Sequence, residues 1–408
     1  MGEFNQAVVL EAVRRSVSGA TRAELARRTG LSAQTVTNVT RRLLDSGLVV
    51  EGEVSRRGPG RPGTVVRLDP AGAFTVGVHL DPAAIVLVVL DFAGNVLRRD
   101  RVPTPALGAP EDVLDTLTSG IETIVADFGI DRRLVAGIGI ATPGPVDAER
   151  GMVLDPPHLP AWHDVPVRDE VARRTGLPAI LDKDVIAAAS AHLWNAPVER
   201  EENWVFAYLG TGVAVAPIVA GDVVRGASGN AGEAHHLVVD PDGPACERGH
   251  RGCFGAVLTA GGLAAQAAAA GLEVAGPGAD LSDPAVADAA VSRLCQAARE
   301  GDERARAVLE RAAGHLVSAV TVVCDLLDLD TVLLGGDVWE RIAPWLADPV
   351  ARALHEHPVP GAAHDLTLRS SPWGEDVVAV GAACLMLDHA FTPRPRDLLI
   401  GGENVVGA

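Results

Sequence analysis

The stretch AGEAHHLVVDPDGPACERGHRGC, Ala231 to Cys253, gathers two of the chain's five cysteines and three of its twelve histidines in one short segment. Thiolate sulfur and imidazole nitrogen are the donors that zinc favours, so the segment has the composition of a metal site. A second oddity lies upstream. Lys183, in LDKDV, is the only lysine in the chain, against 34 arginines. A base composition that favours arginine codons explains the ratio but not the exception.

Charge is segregated along the chain. Residues 1–68 carry eleven arginines and six acids, a net +5, whereas the other 340 residues carry −23. A basic head on an acidic body points to a head that meets a polyanion and a body that does not. The length of 408 residues predicts two or three domains. Five cysteines in so long a chain do not suggest a disulfide framework. No unbroken apolar run reaches the roughly 18 residues of a membrane span, and the first residues lack the pattern of a signal peptide, so the expected location is the cytoplasm.

The head has the elements that position side chains on DNA. Apolar spacing at Val8, Val9, Ala12 and Val13 predicts a first helix over Phe4 to Val17. Thr21 and Glu24 form a capping box that opens a second helix, and Gly30 permits the turn that follows. Ser32 is an N-cap for a third helix, Ala33 to Asp45, with Val36, Val39, Leu43 and Leu44 as its buried stripe. Helix, short turn, helix is the helix-turn-helix pattern. Gln34, Thr35, Thr37 and Asn38 lie off the apolar stripe where they can meet base edges, and Arg41 and Arg42 suit phosphates. Two short strands, GLVVEGEV and TVVRLD, then flank SRRGPGRPG. In a winged helix, Arg61 of that segment, held between glycine and proline, would enter a narrow A/T-rich minor groove and Arg57 would add a DNA contact; in the plainer reading the segment is a basic linker.

From Phe74 strands alternate with helices, which predicts α/β layers. FTVGVHLDPAAIVLVVLDFAGNVL and NWVFAYLGTGVAVAPIVAGDVV both read as hairpins. LVAGIGIATPGPVD, LPAILDKDV and DTVLLGGDVW read as buried strands running into loops or helices. Two hairpin-first halves imply an internally duplicated, two-lobed body.

The motifs ATPGPVDAERG, GTG at Gly210–Gly212, AGEAHH and CERGHRGC occur in the order found in the ROK family (repressors, open reading frames and kinases). Residues 1–390 resemble a regulator of that family: a winged helix-turn-helix, residues 1–70, fused to an actin-like (ribonuclease H-like) sugar-kinase body. The resemblance implies a first lobe over 71–195, a second over 196–374, a helix near 375–390 returning to the first, and a tail over 391–408. It also implies a knuckle of one histidine and three cysteines. His236, Cys246 and Cys253 match, but Arg248 stands at the middle cysteine and cannot ligate a metal. Either His250 supplies the fourth ligand to a zinc ion, or the loop is metal-free and held around Arg248. His235 is the poorer donor.

Other departures bear on activity. The first phosphate loop of family kinases aligns with HLDPA, so that His79, Asp81, Pro82 and Ala83 replace an aspartate, two glycines and a threonine. Ala214, Ala216 and Asp337 replace further glycines. Pro82 removes an N–H donor and Asp81 puts negative charge where phosphate would lie, so ATP is not expected as a cofactor. The sugar pocket is better kept. Asp184 aligns with the catalytic base, and Glu233 and His236 with sugar contacts. His158 and Lys183 replace asparagines, and Gly255 replaces a glutamate. Lys183 either favours an anionic sugar or pairs with Asp182 or Asp184. The expectation is therefore a non-enzymatic regulator, a repressor, that binds double-stranded operator DNA as a homodimer or homotetramer and takes a sugar-like effector. The competing readings are a bifunctional sugar kinase and an effector-blind DNA-binding scaffold.

Overall fold

The computed structural model describes residues 2–16, 18–55, 63–105, 109–156, 161–195, 202–357 and 365–392. The head comprises α1 (Gly2–Arg14), β1 (Ala20–Thr21), α2 (Arg22–Thr29), α3 (Ala33–Asp45), β2 (Val49–Ser55) and β3 (Gly63–Leu68). Its three strands form one sheet in the order β1-β3-β2. The capping box is complete: the Thr21 N–H donates to Glu24 Oε2 at 2.8 Å and the Glu24 N–H to Thr21 Oγ1 at 3.3 Å. Gly30 takes the left-handed conformation that ends α2 (φ 70°). The buried stripe of α3 is Val36, Val39, Thr40 and Leu43. Leu44 is only half-buried, packed at the margin of the same apolar cluster. The first helix starts two residues earlier than its apolar spacing implies and ends at Arg14. Arg57, Arg61 and His158 lie outside the described residues, as does the tail from residue 393.

The first lobe contains β4 (Phe74–Leu80), β5 (Ala84–Asp91), β6 (Val96–Pro103), α4 (Pro110–Phe128) and β7 (Val135–Thr142). A small ribbon, β8 (Val146–Asp147) and β9 (Met152–Val153), precedes α5 (Val167–Thr175), β10 (Ala179–Lys183) and α6 (Asp184–Asn195). The second lobe contains β11 (Trp204–Leu209), β12 (Val213–Val219), β13 (Asp222–Val223), α7 (Phe254–Leu258), α8 (Ala260–Ala269) and α9 (Pro284–Glu300). It continues with α10 (Glu303–Leu327), β14 (Thr331–Gly335), α11 (Asp337–His355) and β15 (Thr367–Ser370), and α12 (Val377–Phe391) closes the fold.

The two sheets run β10-β7-β4-β5-β6 and β15-β14-β11-β12-β13. In each, an antiparallel three-stranded meander is extended by two parallel strands. The same topology twice is the internal duplication that the paired hairpins announce. The apolar runs that read as strands are buried on both faces: every residue of β5 is buried.

α12 packs on the first lobe's sheet and on α6. A side chain at Gly139 of β7 would meet the Ala382 carbonyl at 1.8 Å, and one at Gly381 would meet the Ala187 carbonyl at 1.7 Å. Glycine here serves close approach of backbones, and it fixes α6 against α12. Cys295, Cys324 and Cys384 are buried in helices and belong to the core. By length and apolar content alone α10 can cross a membrane, yet half of its apolar stretch is buried against the second lobe's core.

Candidate functional site

β10 pairs in parallel with β7, so its end places Asp182, Lys183 and Asp184 beside the Pro143–Val146 loop at the edge facing the second lobe. Lys183 is 1 % exposed. Its aliphatic stem runs along Gly144, and its ammonium lies 3.0 Å from Glu233 Oε2 of the second lobe. The pairing with Asp182 or Asp184 open from sequence is replaced by this one, because Asp182 is held by Arg225 at 2.6 Å. Asn230 adds a third link between lobes, accepting from the Val146 N–H (2.9 Å) and donating to the Val146 carbonyl (2.8 Å).

Asp184 opens α6 and is buried. Burial pushes its carboxyl up to about 7, against the pull of Lys183 and of the Val185 N–H that donates to it at 2.6 Å. Its proton is thus exchangeable near neutrality, which suits either a general base or an acceptor for a sugar hydroxyl.

The first and second phosphate-loop segments meet across the cleft. Asp81 Oδ1 accepts from the Ala83 N–H at 2.8 Å, and Oδ2 accepts from Thr211 Oγ1 at 2.7 Å. One carboxylate thereby bonds to both loop segments. The Asp337 carboxylate lies against Gly210, where a side chain at 210 would meet its Oδ1 at 2.6 Å. Burial raises Asp337 to about 6, reinforced by Asp81. His79 is buried, and desolvation pulls its imidazole below the usual histidine range. These groups border an interlobe cavity of about 520 Å³. The role of Thr211 was not legible in GTG, because its partner lies 130 residues away.

In the second lobe His236, Cys246, His250 and Cys253 come together, with one donor atom of each within 4.8 Å of the others. Cys246 Sγ is 3.7 Å from His236 Nδ1. Donors of a tetrahedral zinc site lie about 3.3–3.8 Å apart, given bonds of 2.0–2.3 Å, so the cluster can hold a metal ion after small adjustments. Glu233 and His236 therefore part company: Glu233 turns to Lys183, and His236 to the knuckle. His235 packs its ring onto Gly255, where a Cβ would approach it to 2.2 Å, and it borders the cavity. The loss of a side chain at 255 is what gives that imidazole its place, a compensation that neither position reveals alone.

On the head, Gln34, Thr37, Arg41 and Arg42 lie along α3, and all four are exposed. Asn38 Oδ1 accepts from Arg41 Nη2 at 2.9 Å and from Gln34 Nε2 at 3.3 Å, so three of these side chains form one polar surface. Thr35 is engaged with the Ser32 cap through its N–H (3.1 Å) and its hydroxyl (2.9 Å).

The model of the ROK family matches residues 75–389, more than three quarters of the chain. The chain belongs to the ROK family. The model of the MarR family matches residues 3–58, the helix-turn-helix head. Among similar proteins, a glucokinase of Thermotoga maritima is 29 % identical over 322 residues, 77 % of this chain and 97 % of the relative. The DNA-binding transcriptional dual regulator NagC of Escherichia coli is 26 % identical over 329 residues, 78 % of this chain and 77 % of the relative. Among solved structures, a ROK family transcriptional regulator described as a homologue of the E. coli MLC protein shares the fold over 96 % of this chain and 97 % of its own, with a TM-score of 0.76 at 24 % identity.

Proposed function

We propose that this ROK protein is a DNA-binding repressor that senses a sugar or sugar derivative in a cleft whose nucleotide site has been lost. The observation that carries the reading is the Asp81 carboxylate bonded to Thr211 of the opposite loop. A buried negative charge that takes the loop's donors opposes a triphosphate, while Asp184, Lys183 and Glu233 keep a polar floor for a polyol. The head supplies α3 for the major groove, and the relatives include a DNA-binding regulator. A symmetric operator requires a homodimer or homotetramer.

One helix joins the two tasks. α6 begins at Asp184 in the cleft and ends at Asn195 beside the head. Twelve residues span about 18 Å at 1.5 Å per residue. At its far end the Arg14 guanidinium of α1 donates to the Trp194 carbonyl and stacks over the Trp194 ring at 4.4 Å. Val9, Leu10 and Val13 of α1 share one apolar cluster with α6 and α12. A sugar that shifts the lobes about α6 therefore acts on the head through packed side chains. Such control requires that the sugar bind one lobe arrangement more tightly than the other.

The knuckle holds zinc through His236, Cys246, His250 and Cys253 in this reading. The metal supplies cross-linking of the 231–253 segment that carries Glu233, and no chemistry on the sugar. A bifunctional kinase remains the second reading, favoured by the glucokinase relative and by the Asp184 carboxyl near 7. Incubation of the full chain with labelled ATP, Mg²⁺ and a hexose panel tests it: the sensor reading predicts no phosphosugar, and turnover would establish the kinase.

A further inference from the structure

Asp81 is 6 % exposed, and its hydrogen-bond donors are neutral: a backbone N–H and a threonine hydroxyl. Among the described residues its only basic neighbour in ion-pair range is His79, whose Nε2 stands 3.9 Å away, too far for a hydrogen bond. That Nε2 is itself buried without a hydrogen-bond partner, on a side chain only 5 % exposed, and His79 borders the cavity. Asp337 Oδ1 is likewise buried and unpartnered, while Oδ2 faces Arg341 at 3.2 Å.

The cations nearby are committed elsewhere. Arg341 is held closer by Asp288, at 2.6 Å. Arg101 is paired with Glu375 at 3.0 Å, and Arg99 with Glu375 and with Asp376 at 3.0 Å. A buried carboxylate without a cation is costly, and a cationic ligand relieves that cost.

We propose that this interlobe cavity, at the place of the former phosphate loops, is a binding site for a small organic ammonium. A primary ammonium offers three donors and accepts nothing. Asp81, with no cation in reach, and the unpartnered Oδ1 of Asp337 are two carboxylate acceptors on residues that line the cavity, with the unpartnered His79 Nε2 beside Asp81. The lining also includes the apolar side chains of Leu281, Pro284, Ala285 and Ala287. A cavity of about 520 Å³ exceeds what a bare cation fills. His79, Asp81 and Asp337 also stand outside the two residue groups whose donors converge at metal-binding distances. The ligand therefore carries its amine on a compact apolar body, and it binds beside the sugar floor without replacing it.

Calorimetric titration of the full chain at pH 8 with benzylamine and with benzyl alcohol tests this, since the two differ in the cation and hardly in shape. The amine is expected to bind at least about tenfold more tightly than the alcohol, a difference the isosteric Asp337→Asn exchange should reduce, with Asp81 keeping the remainder. Asp337→Asn removes the charge and keeps the side chain's size; a melting curve like that of the parent shows that the variant is folded. Equal binding of amine and alcohol, no heat with the amine at millimolar concentration, or amine binding unchanged in Asp337→Asn would overturn the proposal. ATP·Mg²⁺ competing for the same cavity would overturn it too. A sugar that binds where the amine does not would sink this site alone and leave the sensor reading standing.

Discussion

Thr211 Oγ1 donates a hydrogen bond to Asp81 Oδ2 at 2.7 Å, joining the first loop of one lobe to the glycine loop of the other. The same topology appears in both lobes, and this bond ties together the two loops that a nucleotide would otherwise bridge. In the proposed reading, this bond holds the two loops together and sets a carboxylate where a phosphate would lie.

Thr211→Val removes the donor and leaves the buried Asp81 carboxylate short of a partner. The expected cost is about 1–3 kcal/mol in urea denaturation, the usual range for an orphaned buried acceptor. The exchange should not create ATP binding, because Pro82 still lacks an N–H. A variant as stable as the parent would remove the bond from the account of lobe closure.

The pH dependence of Asp184 has a definite sign. Its native carboxyl sits at about 7, above the ordinary 3.8, so the folded chain holds this proton more tightly than the unfolded chain. The stabilisation is complete below 3.8 and is lost as pH rises through 7. Asp184→Asn should therefore gain on the parent by roughly 2–3 kcal/mol between pH 5 and pH 8, because each tenfold difference in proton affinity is worth about 1.36 kcal/mol. Melting curves at both pH values check it; a constant gap would mean that Asp184 titrates normally.

The knuckle predicts one zinc per chain in protein purified without chelators, measured by elemental mass spectrometry. His250→Ala should lose the metal and lower the melting temperature, while Cys295→Ala, on a core helix, should keep it. Metal retained at full stoichiometry in His250→Ala would exclude the two-histidine, two-cysteine site.

On the head, Arg42→Ala should weaken DNA binding about equally for all sequences and lower the salt slope by about 1. Asn38→Ala should instead cost about 1–3 kcal/mol and relax base preference at one position. Anisotropy on duplexes selected from a random pool distinguishes the two; a uniform loss in Asn38→Ala would move Asn38 to the phosphates.

Much of the architecture was legible because it is local. The Thr21–Glu24 box, the Ser32 cap and the paired hairpins depend on neighbours within a few residues, and residue type decides them. The knuckle set was legible because its four members lie in one short segment. What escaped depends on contacts between lobes. Lys183 meets Glu233 across 50 residues and Thr211 meets Asp81 across 130, and no spacing encodes either. The His235 ring over Gly255 is a volume exchange, visible only once both backbones are placed.

The most direct test of the central claim is a thermal-shift panel on the full chain with neutral sugars, sugar phosphates, sugar acids and ATP·Mg²⁺. A ligand at about 100 times its dissociation constant stabilises the fold by about 2.7 kcal/mol, well within reach of a melting curve. The account predicts a shift with one sugar class and none with ATP·Mg²⁺. A shift with ATP·Mg²⁺ would contradict it.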